Sequence, residues 1–291
     1  DRGVKTISGM LSITRLWNAM SSASGLARAV QLALSYATKR EVFGTRLVDQ
    51  PLHRVTLAEL QVDYEATLAL VVRASELTGR VEAGVASDAE AGILRALMPV
   101  VKLFTAKYAV AGASEALEAF GGAGYIENTG LPALLRNAQV LSIWEGTTNV
   151  LGLDLLRAAV REDALRPLLA DVGERMAGAD VPELAESVRL VADRASALGD
   201  AAMGWADADQ EVVEAGMRAF AMRLGAVYTG ALLLEHAAHR LAKHDDAAAA
   251  VANRWVRREL GGPDDIAPDP ARLRDADVIL QAPLATIGGT A

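Results

Sequence analysis

The 291 residues carry 29 basic and 37 acidic side chains, a formal charge of −8, and 52% of them are hydrophobic, so the chain can bury a sizeable core in one or two domains rather than stay disordered. With no cysteine, disulfides, thiolate metal sites and a cysteine nucleophile are excluded, and the four scattered histidines (His53, His236, His239, His244) are not grouped with acids as a metal site would need. Residues 1–150 hold 14 basic and 14 acidic side chains and residues 151–291 hold 15 and 23, so the whole charge of −8 lies in the second half, which repels phosphate backbones unless its arginines segregate.

Aromatics make up only 4% of the chain, and the abundance of Ala and Leu favours helices. Residues 10–39 repeat apolar side chains at helical spacing, and Gly44 and Pro51 bracket the break that follows. A second helix is predicted from about Pro51 to Gly79, and a third from about Ser87 to Ala119, interrupted or kinked at Pro99. After the loop 120–132 come a short helix or turn to Arg136 and a further helix from near Thr147 to before Pro167. Long stripes joined by short breaks predict an all-α fold, with an antiparallel four-helix bundle over residues 1–160. Additional helices are expected within 161–262, at about 162–177, 182–199, 208–242 and 245–260, either as an extra layer or as a separate subdomain. The proline-bearing stretch 263–291 reads as a loosely ordered tail. Every apolar run is broken well before the ~18–20 residues of a membrane span. No signal peptide is visible, which points to a cytoplasmic protein, and a chain that begins at Asp1 reads as a processed or truncated product.

The stretch that organises the rest is Leu141-Ser142-Ile143-Trp144-Glu145-Gly146-Thr147-Thr148-Asn149. Thr147, Thr148 and Asn149 suit a helix N-terminus, where unpaired backbone N–H groups attract anions. Glu145, just ahead of it and beside Trp144, is placed either as a general base or as an ordinary acid favoured by the helix dipole. Three other features stand upstream: Thr14-Arg15 within an apolar helix, Arg40-Glu41-Val42-Phe43-Gly44 followed by Gln50, and the turn Gly121-Gly122-Ala123-Gly124-Tyr125.

In this order, those motifs resemble the C-terminal helical domain of the acyl-CoA dehydrogenase family over residues 1 to about 160, and most resemble its alkylation-response (AidB-like) branch. The resemblance implies an FAD-dependent oxidoreductase acting on a CH–CH bond next to a thioester. Glu145 would abstract the α-proton of an acyl-CoA while the β-hydride passes to flavin N5. Some relatives carry the glutamate instead at the position of Thr14, which leaves Glu145 as the candidate here. Arg15 and Gly146 would meet the substrate. Arg40, Phe43, Gln50 and the backbone of Gly121-Gly122 would reach the FAD of a neighbouring subunit, and Thr147 and Asn149 the flavin of their own. A homo-oligomer, dimer or tetramer, sharing FAD across subunits follows, with an electron-acceptor flavoprotein as a further partner. Where the family has Gln three residues before the Gly-Gly pair, this chain has Glu118, whose charge would oppose a pyrophosphate. The family's N-terminal helical and middle β-domains have no counterpart in these residues, so alone they are expected to bind FAD weakly. The alternative is an AidB-like flavoprotein with DNA association and little dehydrogenase activity. Its footprint would be Arg254, Arg257 and Arg258, with Arg240 and Lys243 nearby.

Overall fold

The computed structural model describes residues 3–262 and 269–281 and is almost entirely helical. Helix α1 (Gly3–Ala37) leads into a small antiparallel hairpin, β1 (Glu41–Val42) and β2 (Thr45–Arg46). Its turn residues, Phe43 and Gly44, have φ of +54° and +81°, the left-handed pair that a two-residue hairpin loop of this hand requires. Helix α2 (Pro51–Glu82) starts on proline, where the missing N–H is harmless. Helix α3 (Asp88–Ala119) starts on a capping box in which the Glu90 N–H donates to Ser87 Oγ and the Ser87 N–H donates to Glu90 Oε2.

The interruption expected at Pro99 is absent. Helix α3 continues unbroken through Pro99, which is buried together with its neighbours Met98 and Val100, so tertiary packing holds a turn that proline alone would weaken. A single turn, α4 (Gly122–Tyr125), then leads to α5 (Pro132–Ile143) and α6 (Thr148–Glu162). Helices α1, α2 and α3 pack on one another, α5 closes against α1 and α3, and α6 lies along α3.

The second half comprises α7 (Leu165–Gly178), α8 (Ala185–Met203), α9 (Gln210–Leu241) and α10 (Ala247–Leu260). Helix α9 touches α6, α7, α8 and α10, and also α2 and α3. One contiguous apolar core joins Ala19 and Ala23 of α1 to Leu70, Phe104, Leu155, Leu224 and Trp255. The second-half helices thus share this core with those of the first half. Helix α11 (Pro270–Gln281) packs on α2 and α10 with Ala276 and Ile279 buried, which corrects part of the expected loose tail. Two apolar residues three apart give this segment a face to bury, and Pro270 fits its first turn. Residues 263–268 and 282–291 lie outside the described residues.

Candidate active site

The site residues expected from the sequence fall into two groups, one at each end of α1. The first forms where the chain turns from α5 into α6. Glu145 and Gly146 occupy that turn with φ of +59° and +102°. A left-handed glutamate is strained by roughly 1–2 kcal/mol, so the surroundings must enforce it. Gly146 needs to be glycine for its φ, and a Cβ there would also lie 3.2 Å from Leu151 Cδ2. Thr147 is the extended residue that caps α6.

From α1, the Thr14 hydroxyl donates to Glu145 Oε2 at 2.7 Å. Positions 14 and 145, far apart in sequence, therefore meet in space. One turn further on, Asn18 Nδ2 donates to the Leu141 carbonyl at 3.1 Å and ties α1 to the end of α5. Arg15 Nη1 meets Asp154 Oδ2 of α6 at 2.6 Å, and Asp154 Oδ1 also meets Arg95 at 3.1 Å. Burial pushes the Asp154 carboxyl up, but the hydrogen bond from Arg15 and the charge of Arg95 outweigh it and hold it below the usual carboxylate range. Arg15 is thus oriented within the chain.

The side chain that the sequence reading missed is Lys102. It comes from α3, is 1% exposed, and donates from Nζ to the Gly146 carbonyl at 2.6 Å. A lysine inside the apolar run Pro99-Val100-Val101-Lys102-Leu103-Phe104 was the available signal. Burial, then the charge of Arg15, lower its pKa to about 8 against an upward pull from Glu145. Asn149 Oδ1 accepts from Arg218 of α9 at 3.2 Å, so the second half reaches the edge of this site.

The second group lies at the far end of α1. Phe43 stands 98% exposed at the hairpin tip. Gln50 Nε2 braces that hairpin by donating to the Val42 carbonyl and to Thr45 Oγ1. Phe43, Gln50, His53, Glu115 and Glu118 help line a cavity of about 340 Å³, so Glu118 faces the same space as the two expected contacts. Burial lowers the pKa of His53 in this wall. Arg40 is exposed and has no ion-pair partner among the described residues. Gly121 (φ +60°) and Gly122 present exposed backbone, held by Gly124, where a Cβ would lie 2.0 Å from the Leu117 carbonyl oxygen.

The arginines considered for DNA are otherwise engaged. Arg254 and Arg258 both grip Glu59 of α2 (2.7 and 2.6 Å), Arg258 also binds Asp63, Arg257 pairs with Asp275 at 3.3 Å, and Arg240 pairs with Asp245. Among the described residues no group of three or more metal-ligating side chains converges, and no helix is long and apolar enough to cross a membrane.

A helical bundle with a carboxylate held in a left-handed turn ahead of α6, and an apolar ring displayed on a hairpin after α1, fits the class named by a family model. The model described as "Acyl-CoA dehydrogenase, C-terminal domain" matches residues 1–160, more than half of the chain, and the chain belongs to this family. A second model, "Acyl-CoA dehydrogenase 11 C-terminal domain-like", matches residues 163–264.

Among curated relatives, acyl-CoA dehydrogenase family member 11 of Caenorhabditis elegans is 41% identical over 242 residues, covering 81% of this chain and 39% of that protein. The putative acyl-CoA dehydrogenase AidB of Escherichia coli is 34% identical over 179 residues, covering 61% of this chain and 32% of that protein, in keeping with the AidB-like resemblance. The chain therefore spans about two fifths or less of these relatives' length. Among solved structures, the C. elegans member 11 in complex with C11-CoA superposes with a TM-score of 0.85 at 38% identity, covering 91% of this chain and 45% of that one. An acyl-CoA dehydrogenase from Bacillus anthracis complexed with FAD has a TM-score of 0.77 at 15% identity over 93% of this chain and 55% of that one, a likeness of fold alone.

Proposed function

We propose that this chain is the C-terminal part of an FAD-dependent acyl-CoA dehydrogenase in which Glu145 removes the α-proton of an acyl-CoA thioester. The observation that carries the proposal is the strained turn itself. Glu145 sits at φ +59° with Oε2 2.7 Å from the Thr14 hydroxyl, a geometry that an ordinary first-turn acid does not need. Thr14 supplies a donor to the ionised carboxylate and fixes where it points, and Trp144 beside it is 54% exposed and offers apolar surface to an incoming acyl chain. Gly146 has no side chain to keep a thioester from the backbone, and Arg15, oriented by Asp154, would stand towards the CoA side. The C11-CoA complex of the 38%-identical relative supports an acyl-CoA substrate.

FAD, when bound, supplies the acceptor for the β-hydride. The residues present fit such a group. Arg40 has no ion-pair partner among the described residues, Phe43 projects into solvent, the Gln50 amide is fixed beside it, and Gly121-Gly122 exposes backbone. Glu115 and Glu118 in the same cavity are opposed to a pyrophosphate. Arg15 and Ala37 lie 22 residues apart on α1, roughly 33 Å at 1.5 Å per residue. That separation supports the reading that Arg40, Phe43 and Gln50 serve the cofactor of a neighbouring subunit while Thr147 and Asn149 serve their own, and hence a homo-oligomer. The paired C-terminal arginines lend no support to the DNA reading.

The test is the visible spectrum of the complete, flavin-loaded parent protein, anaerobic, with acyl-CoAs of varied length. One of them should bleach the flavin, and Glu145→Gln should abolish bleaching with the flavin still bound. A Glu145→Gln protein that still bleaches sinks the assignment.

A further inference from the structure

We infer that Lys102 is a positioning residue for Glu145: its ammonium, buried in the bundle core, clamps the Gly146 carbonyl and so holds the left-handed Glu145-Gly146 turn that aims the base. The inference rests on Glu145 being that base.

A buried ammonium is costly, and a fold tolerates one only where it is well used. Lys102 projects from α3 between Val101 and Leu103, both essentially without solvent contact, and has no carboxylate in ion-pair distance among the described residues. The acceptor it meets is the Gly146 carbonyl, at 2.6 Å, a short charge-assisted hydrogen bond. That carbonyl lies between two unusual torsion pairs and the first residues of α6. With φ of +102° at Gly146, the peptide after it turns its oxygen inward to α3 while Glu145 stands out toward Thr14. Two anchors therefore fix the turn, one on the carboxylate from α1 and one on the backbone from α3. Without the second, the turn keeps the Thr14 hydrogen bond to the carboxylate but loses a charge-assisted bond to its backbone, and the strain at Glu145 favours relaxation out of the left-handed state.

The test replaces Lys102 with Met in the full, flavin-loaded protein, which conserves volume and removes both donor and charge. Amide hydrogen exchange over residues 145–148 reads the clamp directly, without reference to turnover. Stopped-flow bleaching by acyl-CoA reads its consequence, with Glu145→Gln run alongside. The expected result is faster exchange in this segment, a kcat lowered about 10- to 100-fold, the size of loss that an ångström of misplacement causes, and a KM changed by less than about threefold. Unchanged exchange overturns the clamp. Faster exchange with an unchanged kcat, while Glu145→Gln is inactive, overturns its role in positioning the base. Should Glu145→Gln prove active, the reading of Glu145 fails, and the exchange measurement still decides whether Lys102 holds the turn. If Lys102→Met does not fold, Lys102→Gln, which can donate without charge, is expected to keep the exchange rate nearer to wild type than Lys102→Leu does. Equal exchange in the two overturns the inference.

Discussion

Gly25 and Gly225 both sit in helix interiors, and the same substitution is expected to have opposite effects at them. Gly→Ala in a helix gains about 1 kcal/mol from propensity alone. At Gly25 in α1 nothing lies within 4 Å of the position of a new Cβ, so the whole gain should appear. At Gly225 in α9 the new carbon would lie 2.4 Å from Phe104 Cδ2, 2.9 Å from Cγ and 3.0 Å from Cε2. Phe104 has nowhere to retreat: it is 1% exposed, with the Tyr108 ring centroid at 4.5 Å and that of Trp255 at 6.0 Å. Overpacking of this kind costs ~1–3 kcal/mol, and a ring confined on two sides belongs in the upper half of that range. After the propensity gain, Gly225→Ala should destabilise by about 1–2 kcal/mol. Urea unfolding followed by far-UV circular dichroism should place the midpoint of Gly25→Ala above wild type and that of Gly225→Ala below it, with similar slopes. Equal or higher stability of Gly225→Ala would refute the close approach of α9 to α3 on which the shared core depends.

The remaining predictions concern charge. Because burial lowers the Lys102 pKa to about 8, below its unfolded value near 10.4, the unfolded state holds the extra proton between those values, and stability should rise with pH across that window. Urea midpoints on either side of the window should show that rise in the wild type and not in Lys102→Met; the same slope in both would remove Lys102 as its source. Asp171 of α7 accepts from Tyr228 at 2.5 Å and pairs with Arg175 at 2.8 Å and Arg73 at 3.3 Å. Burial pushes its carboxyl up, but the hydrogen bonds from Arg175 and Tyr228 prevail and hold it below the usual range. Its stabilisation is therefore complete above the ordinary carboxylate value and is lost as pH falls below it. Asp171→Ala should cost about 3–5 kcal/mol at neutral pH, through the stranded arginines, and should lose less on acidification than wild type. A cost under about 1 kcal/mol in a chemical denaturation series would show the network to be solvent-screened.

Much of the fold could be read from residue spacing. Pro51, Ser87 with Glu90, and Thr147 each mark a helix start by local chemistry, and the structure begins α2, α3 and α6 at or next to them. Pro99 misled because its effect is set by what surrounds it, and α3 is buried on several sides there. Within 263–291, proline content hid the Ala276–Ile279 pair that gives α11 its buried face. At the site, the ordered motifs singled out Glu145 and Gly146 as candidates, yet torsion angles are not written in composition. Neither the left-handed Glu145 nor the pairing of Arg15 with Asp154, 139 residues away, has a local signature.

Lys102 shows why the boundary drawn at residue 160 divides the sequence and not the physics. Helix α3, which carries this lysine, packs on α1, α2 and α6 and on α7 and α9 from the second half. Phe104, two residues along, is the ring against which Gly225 of α9 closes, and Gly152 of α6 closes on Met217, the neighbour of the Arg218 that reaches Asn149. The helices beyond residue 160 therefore share the core of α3 and touch the first turn of α6 directly. A neutral residue at position 102 should raise stability at neutral pH, since an unpaired buried charge opposes folding. On the proposed function, retaining lysine there trades stability for a fixed turn, the compromise expected where a strained carboxylate has to be aimed.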